Sequence, residues 1–479
     1  MTNALSPTTE ILNPHSQITT LGQLRASGHV LKSVREEIRD NLVAGLRRNG
    51  DAPPQGIWPG ILGFDRTVIP QLERALLAGH DLVLLGERGQ GKTRLLRTLP
   101  LLLDEWTPVI AGAELGEHPY APITPESIRR AAELGEELPV AWRHRSERYA
   151  EKLATPDTSV GDLVGDVDPI KVAAGRSLGD PETIHYGLIP RSHRGIVAIN
   201  ELPDLAERIQ VSMLNVMEER DIQIRGYVIR LPLDVMLVAS ANPEDYTNRG
   251  RIITPLKDRF GAEIRTHYPM AVADEVSVIK QEADLVATVP PYLIEILARF
   301  TRNLRESSAV DQRSGVSARF AIAGAETVAA SAFHRATVRG ESDPVARVVD
   351  LAAAVDVLGG KIEFESGEEG RELTVLEHLL RTATAETVRG ALGGIDLGPL
   401  VDALEEGRMV TTGDHVTSAE LLESLPSLGS AETYDEIAFQ LDAETDAARA
   451  AAVEFALEGL YLARRISKDT DTDGYTTYG

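Results

Sequence analysis

Three short apolar runs, "DLVLLG" at 81–86, "GIVAIN" at 195–200 and "VMLVASAN" at 235–242, alternate along the chain with stretches of helical periodicity. Strand candidates spaced by helical patterns predict a parallel α/β domain over about residues 55–270. Ahead of it, residues 1–54 read as a polar tail and a helix-like extension, "LGQLRASGHVLKSVREEIRDNLVAGLRRNG", closed by the linker "DAPPQGIWPG". A charged, mostly helical insertion is expected near 112–158, between the strand candidates. From 271 the pattern changes to Ala-rich helices such as "PYLIEILARFTRNLRES", which predicts a helical second domain over 271–390. Residues 391–479 read as further acidic helices, and the end, "SKDTDTDGYTTYG", as a disordered tail.

Composition narrows the function classes. The chain has 479 residues and 43% hydrophobic content, enough for two or three cored domains. It contains no apolar run near the ~18 residues that span a bilayer, and "MTNALSPTTEILNPHSQ" lacks a basic then apolar leader, so a cytoplasmic location is expected. The absence of cysteine rules out disulfides, thiolate metal sites and thiol nucleophiles. A formal net charge of -24 argues against general binding to nucleic acid or to an acidic membrane.

The most specific motif is "LVLLGERGQGKT", in which an apolar strand runs into Gly86, Glu87, Arg88, Gly89, Gln90, Gly91, Lys92 and Thr93 and then into "RLLRTL". Strand, glycine-rich loop and helix in this order form a phosphate cradle: backbone N–H groups converge on the phosphates, Lys92 reaches the β- and γ-oxygens, and Thr93 offers its hydroxyl to magnesium. Hydrolysis needs a second strand that brings a metal-steadying group and a base. "GIVAINEL" supplies Asn200 for the first and Glu201 for the second. Asp204 and Glu207, just beyond, read as a helix cap and its reciprocal partner.

With these motifs in place, residues 55–335 resemble the AAA+ ATPases of the magnesium-chelatase I-subunit and MoxR group. The resemblance is carried by the order of the P-loop, "DLVGDVDPIKVAAG", "YGLIPRSHRGIVAINELPDL", "IQIRGYVIRLPLDVMLVASANPEDY" and "PLKDRFG". It implies a P-loop AAA+ core with a helical lid and extra C-terminal helices, ATP and Mg2+ as cofactors, and a ring, expected to be a hexamer. By the same resemblance Asn242 in "ASANP" is sensor 1, Arg259 in "KDRF" is the arginine finger given to a neighbour, and Arg319 in "GVSARFAI" is sensor 2. Arg249 and Arg251 in "NRGR" are rival fingers.

The run "IQIRGYVIRLP" reads as a hairpin turning at Arg225-Gly226, which either reaches towards a pore or partner or extends a sheet. Asp162, Asp166 and Asp168 gather in a short span, but no Glu follows at calcium-loop spacing and the group reads as a solvated loop or a family-specific insert, while His185 and His193 lack zinc-ligand spacing.

The family usually carries Asp where this chain has Asn200. An amide keeps a carbonyl acceptor but loses the charge, a difference of roughly 1 kcal/mol in hydrogen-bond strength. A slow but working ATPase is expected, with a nucleotide-gated switch as the alternative, and Asn200→Asp is expected to raise turnover or tighten magnesium binding. The resemblance implies a partner carrying a von Willebrand A domain on another chain, since no D-x-S-x-S pattern occurs here. A motor for inserting magnesium or cobalt into a tetrapyrrole stays open. A transcriptional activator is disfavoured by the charge and by the lack of a helix-turn-helix or G-A-F-T-G-A segment.

Overall fold

The computed structural model describes residues 12–49, 56–168, 170, 173, 183–218, 222–224, 227–229, 231–243, 250–311, 315–406, 409–425, 431–471 and 474–479. Two compact units result: residues up to Glu87 with Gly91–His267, and Tyr268–Gly479 with the loop tip Arg88–Gln90. Among the described residues no helix is long and apolar enough to cross a membrane.

The first unit is built on five parallel strands, β1 (Leu82–Leu85), β2 (Tyr149–Leu153), β3 (Gly195–Asn200), β4 (Val235–Ala241) and β5 (Ala262–Arg265), in the order β5-β1-β4-β3-β2. The three inner strands are the apolar runs. They are buried at every position, because helices cover both faces of a parallel sheet. Leu82, Leu84, Ile196, Ala198, Met236 and Val238 share one apolar cluster, while Val83, Leu85, Val197, Ile199, Leu237 and Ala239 share another, so alternate residues enter opposite faces.

Three expectations about organisation are corrected. The insertion near 112–158 contains one α-helix, Pro125–Leu134, and two short 3-10 turns, but also the strand Val140–His144, paired antiparallel with Trp106–Ile110, and it ends in β2 of the main sheet. β2, "YAEKL", sits at the sheet edge and keeps partial exposure, which is why charged residues occupy it. The extension 1–54 is not a separate body. Its helix α1 (Val34–Asn49) inserts Val34, Ile38 and Leu42 into the same cluster as β1 and as α2 (Val68–Leu77). Glu37, on that apolar stripe, is 1% exposed and accepts from Arg148 (2.8 and 3.1 Å) and Arg194 (3.1 Å).

The third correction concerns the helical unit, where no break separates 271–390 from 391–479. One core unites residues from Ile279 to Leu460. Helices Pro291–Glu306, Ala318–Arg339, Glu372–Leu392 and Asp446–Leu462 pack together, with the Tyr292 and Phe455 rings stacked at 4.4 Å. The last of these helices is buried continuously from Ala450 to Leu460, as suits a central helix. Gly459 lets it approach its neighbour closely, since a Cβ there would lie 2.3 Å from Val388 Cγ1. The tail expected to be disordered forms strands Lys468–Thr470 and Tyr475–Tyr478, joined antiparallel with Val410–Gly413. Thr and Tyr suit strands, and Tyr478, 1% exposed, donates its hydroxyl to Glu458 at 2.6 Å.

Candidate nucleotide site

The site lies at the C-terminal edge of the sheet, where open α/β folds place ligands. After β1 the chain crosses the glycine-rich loop into α3 (Lys92–Thr98). Gly89 and Gly91 hold left-handed φ angles of 74° and 73°, which a side chain would strain and glycine accepts freely. One expectation is refined here. The Gly86 N–H is committed to Ala241 O at 3.1 Å, extending the β1–β4 ladder, so Gly86 turns the loop rather than donating into it. Glu87 is half-buried, Arg88 exposed and Gln90 buried.

Lys92 is 7% exposed, and its ammonium is gathered in by Gly86 O, by Glu87 O at 2.8 Å and by Asn242 Oδ1 at 2.7 Å. Asn242 Nδ2 donates in turn to Glu201 Oε2 at 2.8 Å. The line Lys92–Asn242–Glu201 therefore joins three residues that the sequence supplied from separate motifs. Glu201 closes β3 with φ 56°, a left-handed conformation that costs a non-glycine residue on the order of 1–3 kcal/mol and aims its carboxylate off the strand.

Below this line runs a second row of polar groups. Asn200 Nδ2 donates to Glu151 Oε1 at 2.7 Å, and Ser240 Oγ donates to Asn200 Oδ1 at 3.0 Å. Ser240 Oγ also accepts the Glu201 N–H at 3.3 Å, linking the two rows. Arg97, one helical turn after Thr93 on α3, donates to both Glu151 oxygens at 2.8 and 3.0 Å. Those bonds, with further donors from Tyr149 and Asn200, hold the Glu151 carboxyl below the usual carboxylate range. The sequence motifs did not point to Glu151, Ser240 or Arg97. Ser240 carried a faint signal as a polar residue ending an apolar strand; Glu151 carried none, because its place is set by pairing with β3.

Thr93 is the second residue of α3 and half-buried. For a magnesium ion, the neighbourhood offers the Thr93 hydroxyl, the Asn200 carbonyl with one lone pair left, and the carboxylates of Glu201 and Glu151. An all-oxygen set of this kind fits a hard cation that keeps much of its water.

The remaining candidates fall elsewhere. Glu218 ends α4 (Glu207–Glu218). Arg259 ends α5 (Thr254–Arg259) and is partly exposed, donating to Glu218 Oε2 at 3.1 and 2.7 Å. Arg251 is exposed, and Arg249 lies outside the described residues. Arg319 is exposed in the first turn of the helix Ala318–Arg339 of the helical unit, with its N–H donated to Ser317 Oγ. The expected hairpin pairs Ile222–Ile224 with Tyr227–Ile229, while its tip, Arg225-Gly226, lies outside the described residues.

The cap reading of Asp204 and Glu207 is corrected: Asp204 belongs to a 3-10 turn with Pro203, and α4 begins only at Glu207. Asp162 caps its own short helix through Ser159, and Asp166 and Asp168 accept local N–H groups. Among the described residues no group of three or more acids and histidines is placed to hold a metal.

Residues 177–259 match the family model described as the Sigma-54 interaction domain, a window that carries Asn200, Glu201 and Asn242 and ends at Arg259. The chain is 28% identical over 182 residues to magnesium-chelatase subunit ChlI, chloroplastic, of Chlamydomonas reinhardtii, covering 37% of this chain and 40% of that protein. It is 24% identical over 298 residues to magnesium-chelatase subunit ChlI-2, chloroplastic, of Arabidopsis thaliana, covering 62% of this chain and 63% of that protein. The chain thus spans less than two thirds of the length of these relatives. A solved complex of the BchI and BchD subunits of magnesium chelatase is similar at 20% identity, covering 67% of this chain and 97% of that chain with a TM-score of 0.34.

Proposed function

We propose that the chain is an AAA+ ATPase of the magnesium-chelatase I-subunit and MoxR type, which binds ATP in the Gly86–Thr93 loop, hydrolyses it through Glu201, and works as a ring acting on a partner protein. The observation that carries the reading is the Lys92–Asn242–Glu201 line, closed by bonds of 2.7 and 2.8 Å. Lys92 exchanges its carbonyl acceptors for anionic phosphate oxygens, which accept more strongly. Asn242, released from the ammonium, keeps its bond to Glu201 and offers its carbonyl to the attacking water. Glu201 takes the proton of that water. Thr93 and Asn200 would hold a magnesium ion, which when bound neutralises charge on the phosphates.

A guanidinium from a neighbouring copy completes the site, and Arg259 is our candidate, with Arg319 of the helical unit as the second cation. A finger supplied in trans is worth about 10³–10⁵ in rate and makes turnover depend on assembly, for which we favour six copies. The test mixes two inactive proteins. Glu201→Gln keeps its finger and Arg259→Ala keeps its base, so together they should regain a measurable fraction of wild-type ATPase activity. Mixtures no more active than either variant alone would remove Arg259 from this role.

The partner we favour carries a von Willebrand A domain on a separate chain. Similarity to magnesium-chelatase subunits favours a second reading, in which the ring drives insertion of a metal into a tetrapyrrole as cargo. Co-purification of a tetrapyrrole-binding subunit would select the second reading, and of a lone adhesion-domain protein the first.

A further inference from the structure

The C-terminal edge of the sheet contains one carboxylate that the family motifs do not account for. We propose that Glu151, on β2, supplies the negative charge that Asn200 lacks on β3, so that the acid of this site has moved one strand sideways and Asn200 has become its connector. The inference rests on the nucleotide-site reading above and adds a positioning residue to it.

Register places the pair. In the parallel ladder Glu151 lies opposite Ala198 and Leu153 opposite Asn200, and alternation puts residues 198 and 200 on one face of β3. Glu151 leans along its strand to meet the Asn200 amide at 2.7 Å. Donor and acceptor rules then fix the amide. Its NH2 must face the carboxylate, so its carbonyl must face the Ser240 hydroxyl, at 3.0 Å, and Ser240 accepts the Glu201 N–H. A turned amide would set a carbonyl against a carboxylate and an NH2 against a donating hydroxyl. The chain Glu151–Asn200–Ser240–Glu201 thus crosses three neighbouring strands, β2, β3 and β4, and ends at the backbone of the proposed base.

Arg97 anchors the same carboxylate to the helix that bears Thr93. A change in Glu151 therefore reaches both sides of the proposed cation site: Thr93 through α3, and Asn200 through its amide. This arrangement reverses the expectation for Asn200→Asp. An aspartate there would bring two carboxylates within hydrogen-bond distance with no proton between them, and like charges so placed disfavour one another strongly. The single substitution is then harmful, and only an exchange of roles restores the pair.

The experiment compares four full-length proteins: wild type, Asn200→Asp, Glu151→Gln and the double exchange Asn200→Asp/Glu151→Gln. Each is melted without nucleotide and titrated with a fluorescent ATP analogue at increasing magnesium concentration. Asn200→Asp should lower the melting temperature by roughly 5 °C, and Glu151→Gln should weaken magnesium-dependent nucleotide affinity about tenfold. The double exchange should recover most of both losses, since the amide introduced on β2 can donate to the carboxylate introduced on β3, restoring the bond with its direction reversed. A purely structural role for Glu151 would leave the magnesium dependence unmoved.

An Asn200→Asp protein as stable as wild type, or a double exchange no better than the sum of its parts, overturns the proposal. Wild-type protein that binds no nucleotide overturns the site reading and this inference with it. The two failures are distinct, because the first leaves wild-type binding intact.

Discussion

Strand β3 is bounded at both ends by a left-handed residue that is not glycine, Arg194 with φ 59° and Glu201 with φ 56°, yet its two ends are built for opposite purposes. At the Arg194 end, buried charges of the chain close on one another. Glu37 faces two guanidiniums, Arg148 and Arg194, with all three residues 1–4% exposed, and Arg148 Nε also donates to Arg194 O at 2.7 Å. At the Glu201 end, a cation and an anion are kept apart by an amide, Asn242, which bonds to both. The first arrangement can only hold. The second can release either partner to an incoming ligand without leaving the other unpaired. Left-handed backbone at an element boundary is therefore common to both ends; the way neighbouring charges are closed separates them.

The sharpest way to break this contrast is Glu201→Gln. It should lower ATP turnover by about 10²–10⁴, roughly 3–5 kcal/mol in barrier, while a melting curve stays within a degree or two of wild type. Glu37→Ala is the mirror experiment. It orphans two buried cations and should cost about 3–5 kcal/mol of stability, read as a lower denaturant midpoint at unchanged slope, with nucleotide affinity of the folded fraction preserved.

Acid gives a smaller effect per residue. Burial first, and then the nearby Arg194 guanidinium, depress the imidazoles of His193 to about 3 and His118 to about 2. The unfolded chain takes up these protons below pH 6.5 and the folded chain does not, so stability is complete above that pH and falls as pH drops towards 3. At pH 5 each imidazole should cost about 2 kcal/mol. Denaturant midpoints measured between pH 7.5 and 5 should show the loss, and His118→Asn/His193→Gln should flatten it.

The same contrast explains what was legible in the sequence. β1, β3 and β4 are central, and burial on both faces writes itself as unbroken apolar letters. β2 and β5 are edges, and "YAEKL" and "AEIR" look like any charged stretch. Lys92, Glu201 and Asn242 could be found because each belongs to a local motif whose geometry is set within a few residues. Glu151 could not, because only parallel pairing with a strand more than 40 residues away brings it to Asn200. Glu37 does carry a signal in the sequence, as a charge on the apolar stripe of α1, close to Val34 and Ile38. The aromatic and β-branched residues of "YTTY" likewise suit a strand, although the stretch before them, "SKDTDTDG", is acidic and polar.

The pairing of Arg259 with Glu218 gives assembly a chemical form. On the proposed reading, a solitary subunit stores its guanidinium against its own α4, and a neighbour's triphosphate must displace that carboxylate to draw it across. Both side chains stay in contact with water, so the transfer is easily undone once the terminal phosphate departs. Joining and parting then become two directions of one anion exchange, sensitive to ionic strength at the subunit boundary and indifferent to it in the core.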